Sequence, residues 1–128
     1  MKIGNIKFKA KRLDNGEWII GSFVVMKIPA LSKTTIGIVA EGGATLHEID
    51  PSTVCQFTGL KDSEGKEVWE GDILEGESKY EIVYTKGTFA TVCIGYDERV
   101  YSYPLCYFVK EDGAVEGKVI GNKFDKEK

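Results

Sequence analysis

The feature that most limits what this chain can fold into is a succession of short segments with the two-residue period of β-strands, separated by glycine and Asx turns. In the first segment, Ile6, Phe8 and Ala10 alternate with lysines, so one face is apolar and the other is charged. Asn15-Gly16 follows and predicts a hairpin turn of type I′, in which both central residues need positive φ. The chain therefore begins as a β-hairpin.

The same pattern continues to the end of the chain. A long apolar strand is predicted over residues 18–28, with Gly21 as a bulge or bend. Further strands are predicted over residues 34–39, 44–49, 53–57, 68–74, 80–85, 89–94, 100–109 and 115–120. Short strands at this spacing indicate an all-β fold of the barrel or sandwich kind.

The domain organisation follows from the chain length. We expect a single domain over residues 1–128, with an internal boundary somewhere in 50–70. This boundary would separate an N-terminal β-meander (1–55) from a small C-terminal barrel (68–124), with the meander packed on the barrel. The halves are not expected to fold alone, because each would bury too little apolar surface.

Composition excludes several classes of protein. The 128 residues are 42% hydrophobic and 29% charged, as in globular proteins and unlike disordered chains. The longest apolar run, 18–26, is interrupted by glycine and serine and is far shorter than the roughly 20 residues of a membrane span. The lysine-rich start lacks the continuous apolar stretch of a signal peptide. These features predict a cytosolic protein without membrane contact.

The cysteines point to the same compartment. Their number is odd, their spacing is wide, and no CxxC pair is present: they are Cys55, Cys93 and Cys106. A secreted disulfide scaffold would show more cysteines in an even number. Each cysteine lies in an apolar, strand-like segment, where we expect it to act as a small hydrophobe.

One motif stands out in the middle of the chain. Residues 56–62 read QFTGLKD and residues 65–74 read GKEVWEGDIL. Together they resemble the signature QxTGLKDxxGKxIxEGDIV of the YopX family, with Val68 in the aliphatic place and Trp69 where an aromatic residue is common. The VIGN at 119–122 and the basic-aromatic IKFKA at 6–10 also resemble the ends of that family.

The resemblance implies a mostly β protein encoded by phages or prophages and acting in the bacterial host cytoplasm. It implies no known activity and no catalytic residues, because the family is functionally uncharacterised. In physical terms, Thr58-Gly59 and Glu64-Gly65 are typical of turns, and residues 70–74 resemble the entry into the first strand of an SH3-like barrel. The alternative is that the polar motif residues form a surface for a protein partner: Lys61, Asp62, Glu70 and Asp72.

Catalytic and metal-binding patterns were sought and not found. His47, the only histidine, has Cys55 as a nucleophile candidate but lacks a third group to orient it. The Cys and His residues are too scattered for zinc. An acidic run is interleaved with lysines and lacks the spacing of a cation-binding loop: Glu64, Glu67, Glu70, Asp72, Glu75 and Glu77. We predict no enzyme activity, no cofactor and no metal.

Nucleic-acid binding is the main alternative. The net charge of −3 and the pI of about 5.3 oppose it, but one basic stripe is present: Lys7, Lys9, Lys11 and Arg12. Six tyrosines offer stacking platforms for single-stranded bases: Tyr80, Tyr84, Tyr96, Tyr101, Tyr103 and Tyr107. The favoured hypothesis remains a non-enzymatic phage accessory protein that contacts a protein partner or self-assembles into a homo-oligomer. The alternative is a small nucleic-acid-binding β-barrel.

Overall fold

The computed structural model describes residues 2–94 and 102–125, and the chain divides into two compact units, Met1–Phe57 and Thr58–Lys128. The strands are β1 (Phe8–Lys11), β2 (Trp18–Ile28), β3 (Lys33–Ala40), β4 (Leu46–Glu48), β5 (Cys55–Lys61), β6 (Glu67–Trp69), β7 (Asp72–Glu75), β8 (Lys79–Thr85), β9 (Thr88–Cys93), β10 (Ser102–Pro104) and β11 (Lys118–Asn122). Among the described residues, 3-10 turns cover Ile3–Asn5, Pro29–Leu31, Pro51–Thr53 and Leu105–Phe108. The strands form two antiparallel sheets, which confirms the all-β prediction.

The first unit is built on an antiparallel sheet in which β4, β3, β2, β1 and the start of β5 lie in that order. Its core contains Ala10, Ile19, Ile38 and Ile49, with Phe8 and other apolar side chains packed against them. Phe8 and Ala10 face this core because alternate residues of a strand point to the same side. The lysines between them point to the other face, as the alternation predicts.

The turn between β1 and β2 differs from the predicted type I′. Only Gly16 has positive φ, at 71°. The Asn15 side chain instead accepts a hydrogen bond from the Glu17 N–H at 2.9 Å, and the Arg12 N–H donates to the Glu17 carbonyl across a longer loop. The two positive φ values of a type I′ turn occur at Lys86 (53°) and Gly87 (78°), between β8 and β9.

The sequence predicted a bulge or bend at Gly21, but the structure shows no bulge there. The register of β2 runs without a shift through Gly21, which lies opposite Phe8 on one side and Ala40 on the other. A Cβ atom at this position would lie 1.9 Å from the Val39 carbonyl oxygen. Glycine is required here by the close approach of β3.

The β2–β3 hairpin is longer than its neighbours. β1 pairs with β2 over Trp18–Gly21, and β4 pairs with β3 over Gly37–Val39. Residues 25–35 lie beyond both flanking strands and form a two-stranded ribbon, called the arm from here on, closed by the 3-10 turn Pro29–Leu31. The flanking strands therefore support only the base of the hairpin.

The second unit contains a five-stranded antiparallel sheet in the order β10, β9, β8, β7, β11, and the end of β5 together with β6. Its core contains Val68, Leu74, Tyr80, Ile82, Leu105 and Val115. An SH3-like form for this sheet stays a prediction. No helix of the described residues is long and apolar enough to cross a membrane.

Three local predictions in the second unit are wrong. The strand expected over 68–74 is divided into β6 and β7 by a turn at Gly71, whose φ is 85°. Thr58-Gly59 lies within β5 and not in a turn. The third wrong prediction is the strand over 100–109, of which residues 100–101 lie outside the described residues. Ser102–Pro104 is a strand, as predicted. Leu105–Phe108 is instead a 3-10 turn, which places Leu105 in the core.

Candidate functional site

The carboxylate of Asp62 is the centre of the first half of the motif. Asp62 is 3% exposed and accepts backbone hydrogen bonds from Glu64 (2.8 Å), Lys66 (2.9 Å) and Val119 (2.8 Å). Burial acts to raise the pKa of Asp62, but these three N–H donors outweigh it and hold the pKa below the ordinary value of 3.8. The charged carboxylate therefore fastens the turn at 62–66 to the strand that carries the VIGN motif.

Asp72 has the matching position in the second half of the motif. It is 2% exposed, and its Oδ2 accepts a hydrogen bond from the Trp69 N–H at 2.8 Å. Its Oδ1 accepts one from the Asn122 side-chain amide at 2.9 Å, and that amide also donates to the Glu70 carbonyl at 3.2 Å. The EGD and VIGN motifs are thus joined by one buried polar cluster. Asn122 was not singled out from the sequence, although its place in VIGN was the available signal.

The structure separates the four predicted partner-binding residues by exposure. Asp62 and Asp72 are buried and their carboxylates accept backbone and amide hydrogen bonds. Lys61 is exposed and Glu70 is half-buried. A role in partner binding stays a prediction for these residues.

His47 and Cys55, for which the sequence predicted no catalytic role, lie on different strands. His47 lies on β4 opposite Ile38, and the buried Cys55 thiol donates to the Thr53 carbonyl at 3.3 Å. Cys93 is half-buried, whereas Cys106 is exposed on the 3-10 turn, contrary to the expectation of a strand hydrophobe. Within 2–94 and 102–125, no three His, Cys, Asp or Glu side chains form a metal-binding group.

In the predicted basic stripe, Lys9 and Lys11 lie in β1 and Lys7 and Arg12 flank it, and the three lysine ammonium groups contact aromatic rings. The Lys7 ammonium lies 4.7 Å from the ring centre of Phe57, and those of Lys9 and Lys11 lie 4.6 and 4.7 Å from Trp18. Arg12 binds both carboxylate oxygens of Asp14, at 3.0 and 2.6 Å. The stripe belongs to the first unit, and all four of its side chains have partners there.

The tyrosines predicted as stacking platforms belong to the second unit. Tyr96 and Tyr101 lie outside the described residues, and Tyr80 is buried in the core. The other three are exposed by about half or more: Tyr84, Tyr103 and Tyr107. Residues 58–128 contain ten Lys or Arg and fifteen Asp or Glu, a net charge of −5, which opposes binding to phosphates.

The arm exposes apolar side chains that no sequence pattern singled out. Val25 is 50% exposed, Met26 is 45% exposed and Leu31, at the tip, is 69% exposed. Val25 and Met26 are adjacent on β2 and therefore point to opposite faces of the ribbon. Residues 18–40 contain no acidic residue, and their only charges are Lys27 and Lys33. The arm is therefore an apolar, weakly positive element with exposed apolar side chains.

The second unit carries an open apolar groove of about 510 Å³. Described residues that line it are Thr58, Leu60, Thr88, Phe89, Leu105, Cys106 and Val109. Its volume lies within the roughly 300–1,000 Å³ of known ligand pockets. Within the described residues, the groove and the arm are two surfaces that expose apolar side chains.

Comparison with known proteins identifies the family. No curated protein matches the chain. A family model described as YopX protein matches residues 7–127, which is nearly the whole chain and includes both halves of the buried polar cluster. The resemblance found in the QFTGLKD, EGDIL and VIGN segments is thereby confirmed, and the chain belongs to the YopX family.

Proposed function

We propose that this chain is a non-enzymatic, self-associating protein-interaction module that contacts its partner copy through the arm. The observation that carries the proposal is the exposure of Leu31, Met26 and Val25 on a ribbon that extends past both flanking strands. An isolated two-stranded ribbon is marginally stable in water. A second protein surface that covers these side chains would stabilise both the ribbon and the complex.

The chemistry of the motif agrees with a binding role. Its buried aspartates, Asp62 and Asp72, accept hydrogen bonds from backbone N–H groups. Carboxylates held in this way fix the fold of the motif, which supports the proposal of a non-catalytic role. From the family resemblance, we propose that the protein acts as a phage or prophage accessory protein in the cytoplasm of the bacterial host.

The test is the oligomeric state as a function of concentration. Sedimentation velocity from about 1 μM to about 200 μM covers the Kd range of moderate and weak complexes. We expect the wild type to shift to larger species. Leu31→Asp should need about tenfold to hundredfold higher concentrations to form the same species, because it places a charge in the contact.

A matched control is available in the same unit. Leu13→Asp makes the same chemical change at a leucine of similar exposure, 62% against 69%, on the β1–β2 loop. This variant should associate like the wild type. A wild type that stays monomeric over the whole range, or equal behaviour of the two variants, would contradict the proposal.

Nucleic-acid binding is the second candidate, and one observation favours it. The first 40 residues contain seven Lys or Arg and two Asp or Glu, which gives a local net charge of +5 in a chain of net charge −3. Single-stranded DNA should then bind with an affinity that falls steeply with salt. Replacing Lys7, Lys9 and Lys11 by glutamine should reduce that affinity, whereas Leu31→Asp should not abolish it. Salt-independent binding, or none, would remove this candidate.

A further inference from the structure

We propose that the arm of one copy inserts its Leu31 tip into the apolar groove of the second unit of another copy. The contact is then head-to-tail, with two different surfaces of the chain meeting. This inference rests on the self-association proposed above and adds to it the receptor surface and the geometry of assembly.

The groove has the chemistry of a receptor for apolar side chains. Four of the described residues that line it have apolar side chains: Leu60, Phe89, Leu105 and Val109. The hydroxyl groups of its two threonines already donate hydrogen bonds within the unit, Thr58 to the Val68 carbonyl at 2.7 Å and Thr88 to the Phe89 carbonyl at 3.3 Å. A ligand therefore meets few unused polar groups and binds chiefly by burying apolar surface.

The sizes of the groove and the tip also correspond. An apolar cavity of about 150 Å³ holds one benzene molecule. The groove, at about 510 Å³, has room for several side chains of that size. The tip of the arm contains Pro29, Ala30 and Leu31 in one compact turn, and the exposed Met26 lies on the ribbon three residues before Pro29.

The tip is ordered before it binds. The Ser32 N–H donates to the Pro29 carbonyl at 3.1 Å and closes the 3-10 turn. Pro29 has a fixed φ, and Ser32 holds a left-handed conformation with φ of 47°. A preformed tip loses less conformational entropy on docking than a flexible loop, which favours insertion.

The net charges of the two units favour the groove, and not a second arm, as the binding partner of the arm. Two arms in a symmetric contact would bring Lys27 and Lys33 of both copies together, and like charges at an interface are unfavourable. The unit that carries the groove has a net charge of −5. The signs of these net charges favour docking of the positive arm on this unit over docking on a second arm.

A head-to-tail contact predicts the form of the assembly. Each copy would offer one arm and one groove, so that association continues into chains unless a ring closes. The size of the species should therefore increase with concentration beyond a dimer. A symmetric contact would stop at two copies.

The first test uses Cys106, an exposed native thiol in the wall of the groove. Leu31→Cys in a Cys93→Ser background places one thiol on the arm and leaves one in the groove. Mild oxidation should give a ladder of disulfide-linked oligomers, with peptide mapping identifying the bond as Cys106 to residue 31. Leu13→Cys in the same background is the control and should give no ladder.

The outcomes separate the two proposals. A bond between two copies of residue 31 would mean an arm-to-arm contact and would overturn the groove assignment while leaving self-association intact. An association-competent Leu31→Cys variant without the bond to Cys106 would also overturn it. A protein that stays monomeric before oxidation would contradict the proposed function itself.

The second test is complementation. Leu31→Asp retains the groove, and Cys106→Arg retains the arm but places a bulky cation in the groove. Each variant alone should self-associate about tenfold to hundredfold more weakly than the wild type, the affinity equivalent of one buried leucine. An equimolar mixture should form a one-to-one dimer that grows no further. Wild-type association of Cys106→Arg, or a monomeric mixture, would refute the groove as the receptor.

Discussion

The side-chain amide of Asn122 donates a hydrogen bond to Asp72 Oδ1 at 2.9 Å and so joins two motifs that lie 50 residues apart in the chain. Both residues are buried, with 7% and 2% of their surface exposed. Gly71 lies directly against this pair, since a Cβ atom at that position would be 3.1 Å from the Asn122 amide nitrogen. The EGD and VIGN segments of this YopX-family chain thus form one structural unit.

The first prediction concerns Asn122. Asn122→Ala removes two donated hydrogen bonds, one of them to the buried carboxylate of Asp72, and the oxygen that accepts the Phe124 N–H. We expect the free energy of unfolding to fall by about 2–4 kcal/mol. Urea denaturation measures the change. Asn15→Ala, which removes one exposed hydrogen bond to Glu17, is the control and should cost less than about 1 kcal/mol.

The second prediction concerns the pH dependence that Asp62 confers. Its folded-state pKa is lowered, so its contribution is fully present above the unfolded pKa and is lost as pH falls below 3.8 through the folded value. Asp62→Asn should cost about 1.5–3 kcal/mol at neutral pH, because an amide group would then face the Val119 N–H. The difference in the free energy of unfolding between Asp62→Asn and the wild type should become smaller below about pH 4.

Unfolding free energies of the two proteins from pH 2 to pH 6 check this prediction. Asp14→Asn is the control, since Asp14 is an exposed carboxylate whose pKa is lowered by its hydrogen bond with Arg12. It should change stability little at any pH. If the difference in unfolding free energy between the wild type and Asp62→Asn stays constant down to pH 2, the charged Asp62 carboxylate does not have the stabilising role assigned to it.

The sequence predicted the strands where local pattern decides them. The bounds of β2 agree with the predicted 18–28, because its many β-branched and aromatic residues favour a strand. The predicted strand at 100–109 was wrong beyond Pro104, because the packing of Leu105 in the core selects a 3-10 turn that local propensity does not reveal. Tertiary contacts override propensity at such positions.

The candidate site was less predictable than the strands. The sequence analysis placed Asp62 and Asp72 on an exposed surface for a protein partner, because carboxylates are mostly exposed. Their hydrogen-bond donors, Val119 and Asn122, lie far away in the sequence. The sequence also did not reveal that the apolar residues of the arm are exposed. Apolar residues such as Val25 and Met26 follow the same pattern whether neighbouring strands cover them or not.

The third prediction concerns Gly21. Gly21→Ala would place a methyl group 1.9 Å from the Val39 carbonyl oxygen, which is a backbone atom and cannot rotate away. The strands β2 and β3 must separate, and we expect a loss of about 3 kcal/mol or more. Thermal unfolding measures it. Gly4→Ala, where nothing lies within 4 Å of the new atom, is the control. Equal melting temperatures for the two variants would contradict the close approach.

The fourth prediction is a stabilising change. Lys86 holds a φ of 53° in the β8–β9 turn, a conformation that is unfavourable for residues other than glycine, asparagine and aspartate. Lys86→Asn should therefore raise the free energy of unfolding by about 1 kcal/mol. Lys110→Asn, at an exposed loop position outside the left-handed region, should give no such gain. A destabilised Lys86→Asn variant would mean that this turn is of another type.

The last prediction concerns the ionisation of Tyr80. Burial raises the pKa of Tyr80 to about 12, and the negative charges of Glu116 and Asp62 act in the same direction. The hydroxyl of Tyr80 donates to the Glu116 carbonyl, and the ring stacks on Phe108 with 5.2 Å between centres. Because the neutral form is favoured in the folded state, this contribution to stability is present below pH 10 and is lost as pH rises towards 12.

A spectroscopic titration of tyrosinate absorbance tests this assignment. The wild type should show one ionisation step near pH 12, or a step that coincides with alkaline unfolding, and Tyr80→Phe should lack it. Tyr84→Phe, which alters an exposed ring of the same sheet, should retain that late step. Tyr80→Phe should also cost about 1 kcal/mol at neutral pH through the lost hydrogen bond to Glu116. A late step that survives in Tyr80→Phe would show that another tyrosine is the buried one.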